Sequence, residues 1–274
     1  GLPYDGSASL RAGAALAPRR LRELSRTSDP INRLGVPIDG ITLRDFGDVR
    51  AGDGAGGTSQ RDWLDAARLR LAALPSDGFL LALGGDNSVS IPCLQEHARR
   101  HGSDAGVLWF DAHPDLFSSY DGNPDSHACA LRRGLALAGL SPRNAVLLAT
   151  RSFSHEEAAF IRDERIEVIT AAEWRREGAD AVAGRIEARL GRAPAVHWAV
   201  DIDGFDASCA PGTGYPMPAG VDAEAFFALQ KRLFKRLPIR SMDVTEVAPP
   251  LDPNDMTSFL ALQVILESLG LLGR

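Results

Sequence analysis

Asp111, His113 and Asp115 occupy alternate positions directly after the apolar run 106–110. That run reads as a buried strand. On an extended backbone alternate side chains point the same way. Two carboxylates and an imidazole therefore project from one strand tip, and together they make half of a divalent-metal site. Further along, the apolar run 196–200 ends in a second alternating pair, Asp201 and Asp203. Two strand ends carrying this much acid repel each other unless a cation sits between them.

Two more strand ends carry the same kind of residue. Gly84-Gly85-Asp86-Asn87-Ser88 follows the run 80–83, and Ser241-Met-Asp243-Val-Thr-Glu246 closes another. Each acid alone reads better as a turn or a helix cap; four such segments at one sheet edge reverse that reading and favour a site. The pattern predicts strands at 79–83, 106–110, 145–149, 167–170, 196–200 and 239–244. Helical stretches are expected at 61–74, 89–101, 155–163, 171–190, 222–237 and 257–271. Strand–helix alternation of this kind implies an α/β fold with a mainly parallel central sheet and helices on both faces. The ligand crevice of such a sheet lies beyond the carboxyl ends of its strands, where the acidic segments sit. No break in composition divides the chain, so one domain over 1–274 is expected.

The net charge of -6 over 274 residues argues against a nucleic-acid surface, which is normally basic. No apolar stretch is expected to reach the length of a membrane span, and no membrane partner is expected. Cys93, Cys129 and Cys209 are scattered and odd in number, which points to reduced thiols and a cytoplasmic setting rather than a disulfide framework. The opening Gly1-Leu-Pro-Tyr-Asp5 lacks the pattern of a signal peptide and reads as the tail of a strand begun before Gly1. The glycine-rich stretch 51–57 reads as a surface loop, because it lacks the Lys-Ser/Thr of a phosphate cradle.

Taken in order, several motifs carry a resemblance. Gly1-Leu-Pro-Tyr-Asp5, Arg11-Ala-Gly13 and Pro18-Arg-Arg-Leu-Arg22 are followed by Asp45-Phe-Gly-Asp48, Gly84-Gly-Asp86 and Asp111-Ala-His-Pro-Asp115. Ser126-His-Ala-Cys129, Asp201-Ile-Asp203, Ala210-Pro-Gly-Thr-Gly214 and Asp243-Val-Thr-Glu-Val-Ala-Pro249 complete the series. Nearly end to end, the chain resembles the ureohydrolases, the family of arginase, agmatinase and formimidoylglutamase, and looks most like its agmatinase branch. The resemblance implies a three-layer α/β/α fold and a binuclear Mn²⁺ centre. Asp111 and Asp201 would bridge the two ions, Asp115 would complete the first, and His113 with Asp203 the second. Two such ions roughly 3.5–4 Å apart lower the pKa of a shared water. Asp115 would also orient the attacking hydroxide, Glu246 would hold the guanidinium, and His127 would pass a proton to the departing amine. Agmatine cleaved to putrescine and urea is the first expected reaction. Arginase-, guanidinobutyrase- and formimidoylglutamase-type hydrolysis are the alternatives. A homo-oligomer, trimer or hexamer, is also implied.

Asn87 departs from the pattern, which normally reads Gly-Gly-Asp-His-Ser. The absent imidazole would bind the first ion, and an amide oxygen is a weaker donor. Three readings follow: Asn87 still ligates but weakly, one ion is tight and the other labile, or the chain binds without hydrolysing. Other histidines and cysteines have plainer readings. His97 and His101 share a helix face and are expected at the surface. His155 reads as a helix-start residue at the site's rim, and Cys129 as a buried hydrophobe rather than a nucleophile. Asp121 and Asp125, in the loop between Asp115 and His127, would suit a cationic substrate tail. Arg151, after another strand, would suit a carboxylate.

Overall fold

The computed structural model describes residues 1–50 and 59–273; the glycine-rich stretch 51–57 lies outside them. The apolar runs become β1 Leu80–Leu83, β2 Gly106–Phe110, β3 Ala145–Leu148, β4 Glu167–Ile169, β5 Val196–Asp201 and β6 Ile239–Thr245. They pair in parallel in the order β1-β6-β5-β2-β3-β4. All five residues of β2 are buried, because a parallel strand covered on both faces has no side for water. Its Leu108 and Phe110 enter one core with Trp198 and Met242, while Val107 and Trp109 enter the other with Leu147 and Ala199.

The helices are α1 Ala17–Ser25, α2 Gln60–Ala72, α3 Ser90–His101, α4 Ala130–Ala138, α5 His155–Glu164, α6 Ala171–Leu190, α7 Ala223–Arg236 and α8 Met256–Leu272. Residues of α1, α6, α7 and α8 belong to the first core and those of α2 to α5 to the second. The result is the expected three-layer α/β/α architecture. Helix starts match their expected positions where side chains cap them. Ser154 with Glu157 and Thr170 with Glu173 form capping boxes, which satisfy orphan N–H groups at the first turn.

Four elements differ from expectation. Helix α1, which opens with Pro18 in its first turn, was not anticipated. Neither was α4, because Gly134 weakens its helical signal. A Cβ there would lie 2.5 Å from Leu94 Cδ1, so the glycine lets α3 and α4 pack closely. Gly178 has φ 80° and kinks α6, which the periodicity presented as continuous. The expectation that no stretch reaches span length fails at Pro253–Leu272, which is long and apolar enough by length and composition. Half of it is buried, and α8 packs against α1 and α7, which accounts for its apolar character.

The neighbouring strands β1, β6, β5 and β2 bring all four acidic segments to adjacent carboxyl ends. The turn after β1 is fixed by close backbone approach: Asp86 N–H donates to Tyr4 O at 2.8 Å and Glu246 N–H to Gly85 O at 2.8 Å. A Cβ on Gly85 would meet Tyr4 O at 1.8 Å, so only glycine fits there without moving backbone. Gly85→Ala is therefore expected to destabilise the fold by about 1–3 kcal/mol through overpacking, read from the midpoint of urea unfolding. An unchanged midpoint would show that this turn does not depend on the contact.

Candidate metal centre

Asp111 follows β2 beside Trp109, whose indole N–H donates to Asp111 Oδ2 at 3.0 Å. Beyond this point the backbone is not extended. The His113 N–H turns back to Asp111 Oδ1 at 2.6 Å. Asp115 has φ 53°, in the left-handed region that disfavours side chains other than glycine. The three side chains therefore converge through a turn and not through strand alternation. Asp201 closes β5 and accepts the Asp203 N–H at 2.7 Å. Asp203 accepts the Ala112 N–H at 3.1 Å and so ties the two acidic segments together. Glu246, just past β6, is also left-handed at φ 62°, and its Oε1 accepts the Asn87 N–H at 2.9 Å. Two of the candidate residues thus sit on strained backbone, which persists only where the surroundings enforce it.

His113 Nδ1 lies 3.2 Å from Asp203 Oδ2 and 3.4 Å from Asp111 Oδ1. One ligand atom from each of Asp111, His113 and Asp203 lies within 4.8 Å of the others. Two carboxylates and an imidazole in this space fit a divalent cation. Burial dominates the titration of the surrounding acids, because it disfavours their charged forms. It raises Asp111 to about 7, with Asp203 adding to the effect. It pushes Asp115, Asp201 and Glu246 well above the carboxylate range, and neighbouring acids add again. Burial also opposes ionisation of Asp203, but His113 outweighs it and holds that carboxyl low. Burial alone would lower His113; Asp203 and Asp111 override it and push the imidazole up to about 12.

Asn87 stands among the acids with its amide nitrogen inward. Nδ2 lies 2.8 Å from Asp111 Oδ2, 2.9 Å from Asp115 Oδ2 and 2.7 Å from Asp201 Oδ2, its two hydrogens shared among the three acceptors. Its carbonyl oxygen points the other way and accepts the Thr245 hydroxyl. The three carboxylate oxygens thus converge on an N–H₂ group. This point does not fit an ion as it stands, whereas the Asp111–His113–Asp203 set does.

Asn87, His113, Asp115, His127, Asp201, Asp203 and Glu246 line one cavity of about 240 Å³, and Asp111 lies buried beneath it. His127 is held from behind. Its backbone N–H donates to Ser7 Oγ at 3.0 Å, and that hydroxyl donates to Asp86 Oδ2 at 2.8 Å. Burial lowers the His127 pKa, while Asp86 pulls it the other way. Sequence reasoning passed over Asp86, Ser7 and Thr245 as site residues. Only Asp86 carried a signal, as a member of the Gly-Gly-Asp segment.

Several expectations are corrected. Arg151 donates to the backbone carbonyls of Ala149, Asp203, Gly204, Phe205, Met217 and Pro218. It braces the loop that carries Asp203 and is not free to meet a carboxylate. Asp125 is buried against Arg133 and Arg61, and neither it nor Asp121 lines the cavity. His97 is wholly buried rather than at the surface. It shares Ser241 Oγ with His197, whose other ring nitrogen lies 2.9 Å from Asp243 Oδ2. Burial raises the Cys129 thiol to about 11, which agrees with a buried hydrophobe and not a nucleophile.

Residues 1–270 match the profile of the Arginase family. The proclavaminate amidinohydrolase of Streptomyces clavuligerus is 31% identical, over 98% of this chain and 85% of its own length. An agmatinase of Neisseria meningitidis serogroup C is 31% identical, over 100% of this chain and 86% of its own. The crystal structure of formimidoylglutamase from Bacillus subtilis superposes with a TM-score of 0.91 at 27% identity, covering 100% of this chain and 85% of that one. With its acids at the ends of four neighbouring strands and this match along nearly its whole length, the chain belongs to the arginase family.

Proposed function

We propose that this chain hydrolyses a small linear guanidino compound to urea and an amine. One observation carries the reading: Glu246, a carboxyl group with no cationic partner among the described residues, shares a small cavity with His113 and Asp203, which group with the buried Asp111. A planar guanidinium is the cation that best pairs with a carboxylate, through two parallel charge-assisted hydrogen bonds. A divalent cation held by Asp111, His113 and Asp203 would supply Lewis acidity and a water of lowered pKa.

The remaining work falls to side chains. Glu246 binds and orients the guanidinium. Asp115 accepts a hydrogen bond from the attacking water and fixes its direction. His127 is uncharged near neutrality, because burial lowers its pKa; it receives a proton from solvent or the site and delivers it to the departing amine. Phe117, Tyr120, Phe153 and Tyr215 wall the cavity and limit water around the reacting carbon.

The substrate's tail is read from the mouth of the cavity. Arg11 lines it, donates to Gly214 O at 3.2 Å, and makes no ion pair among the described residues. This favours a guanidino acid, whose carboxylate Arg11 would receive. Agmatine is the second reading, supported by the agmatinase likeness but no longer by Asp121 and Asp125.

Turnover of agmatine and a series of guanidino acids with added Mn²⁺ tests both readings. Urea release from the acids, lost on Arg11→Ala, is expected; release from agmatine alone supports the second reading, and silence across the series removes the hydrolase. Glu246→Gln should lower kcat/KM by at least about 30-fold, the lower end for breaking a buried charge pair. His127→Ala should lower kcat by roughly 100-fold or more with metal content unchanged. Metal uptake should also depend on pH. The ion-free site keeps a proton on His113, whose pKa is raised to about 12, and partly on Asp111, raised to about 7. Binding must displace them, so Mn²⁺ affinity should rise with pH through neutrality. Calorimetry in two buffers of different ionisation enthalpy measures the proton release, and none released would contradict the arrangement.

A further inference from the structure

The arginase family leads one to expect two ions, yet three of the acids that would hold one of them are already engaged by Asn87. We infer that the Asn87 amide permanently takes the place of one cation, so that each subunit holds a single divalent ion on Asp111, His113 and Asp203. This rests on reading the cavity as a metal site. Its test counts ions and does not depend on turnover.

The geometry carries the inference in three steps. First, the Oδ2 atoms of Asp111, Asp115 and Asp201 all lie 2.7 to 2.9 Å from Asn87 Nδ2. An ion bound by those oxygens competes with the amide for the same lone pairs. Second, the amide is held from both ends. Thr245 donates to its Oδ1 and its Nδ2 faces the three carboxylates, while the Asn87 backbone N–H, donating to Glu246 Oε1, fixes the residue in place. Turning the amide to offer Oδ1 would set that oxygen against three carboxylate oxygens. It would also surrender hydrogen bonds to charged acceptors, the stronger class. With an ion in place an imidazole nitrogen would face the metal just as Oδ1 would, but only the amide must first give up its own hydrogen bonds to these acids. Third, the other donor set is untouched by this arrangement. Among the described residues His113 and Asp203 make no hydrogen bond with the amide, and Asp111 meets it through Oδ2, leaving Oδ1 facing His113.

The consequence is a graded neutralisation of the acids. A neutral amide supplies N–H groups and no charge. The Oδ2 atoms of Asp111, Asp115 and Asp201 are thus supplied with a hydrogen-bond donor without a second dication.

The test loads purified chain with excess Mn²⁺, removes loosely held metal by gel filtration, and counts Mn per chain by mass spectrometry, with electron paramagnetic resonance as a second readout. The natural chain should retain one Mn²⁺ with the spectrum of an isolated ion. Asn87→His should retain two, with the spectrum of a coupled pair. Location is read from two further variants. His113→Ala should lose the ion, and Asn87→Ala should keep it. Two ions in the natural chain, or none, would overturn the inference, as would loss on Asn87→Ala with retention on His113→Ala. If Asn87→His does not fold, the count and spectrum of the natural chain still decide. Two ions together with urea release would remove this inference and leave the hydrolase standing. One ion without urea release would do the reverse.

Discussion

Mutual repulsion among buried carboxylates governs this molecule. Asp86, Asp111, Asp115, Asp201 and Asp203 are all buried within one region, with Glu246 beside them. Removing one carboxylate from water is already unfavourable, and each neighbour raises the penalty. The fold answers with whatever positive or hydrogen-bearing group is near. Trp109 and Asn87 turn N–H groups inward, Ser7 and Ser88 encircle Asp86, and His113 stands between Asp111 and Asp203. None of these removes the excess charge except a protonated His113. The cluster is therefore stable alone only by retaining protons, and it is prepared to exchange them for a cation.

Keeping such a cluster assembled requires a rigid frame, and the parallel sheet supplies it. Four adjacent strands deliver their carboxyl ends to one edge, where continuous cores on both faces fix their register. The last ångström comes from backbone that is locally unfavourable. Asp115 and Glu246 adopt left-handed conformations, and Gly85 allows the Asn87 turn to touch Tyr4. Arg151 clamps six carbonyls of the loops around Asp203. Strain of this kind is tolerable only because the two hydrophobic cores stabilise the frame independently.

The frame was legible in the sequence, and the details of the site were legible only in part. Buried parallel strands advertise themselves as unbroken apolar runs, and capped helices as Ser or Thr followed by Glu. The convergence of Asp111, His113, Asp115, Asp201 and Asp203 also followed from placing acids at strand ends. The reason offered for Asp115 did not hold, since a positive φ brings it back and no alternation rule predicts one. His97 read as a surface residue because its partners, Ser241 and His197, come from strands distant in the chain. Arg151 read as a ligand-binding cation because loop carbonyls leave no mark in a sequence. Asn87 was visible as a departure from a pattern. What its amide does depends on acids 24, 28 and 114 residues away, and only the folded chain puts those together.

An imidazole and a carboxamide differ here in sign as much as in strength. The imidazole at this position would give a lone pair to a cation and so would need one present to be content among acids. The carboxamide gives hydrogens to the acids and is content without one. Exchanging the first for the second therefore keeps the same carboxylates in the same places while reversing the demand they make on solution. With Asn87 the Oδ2 atoms of Asp111, Asp115 and Asp201 turn to the amide, while Asp111 Oδ1 and Asp203 Oδ2 face His113. Glu246, which accepts the Asn87 backbone N–H, is positioned by the same residue that occupies the first half of the cluster.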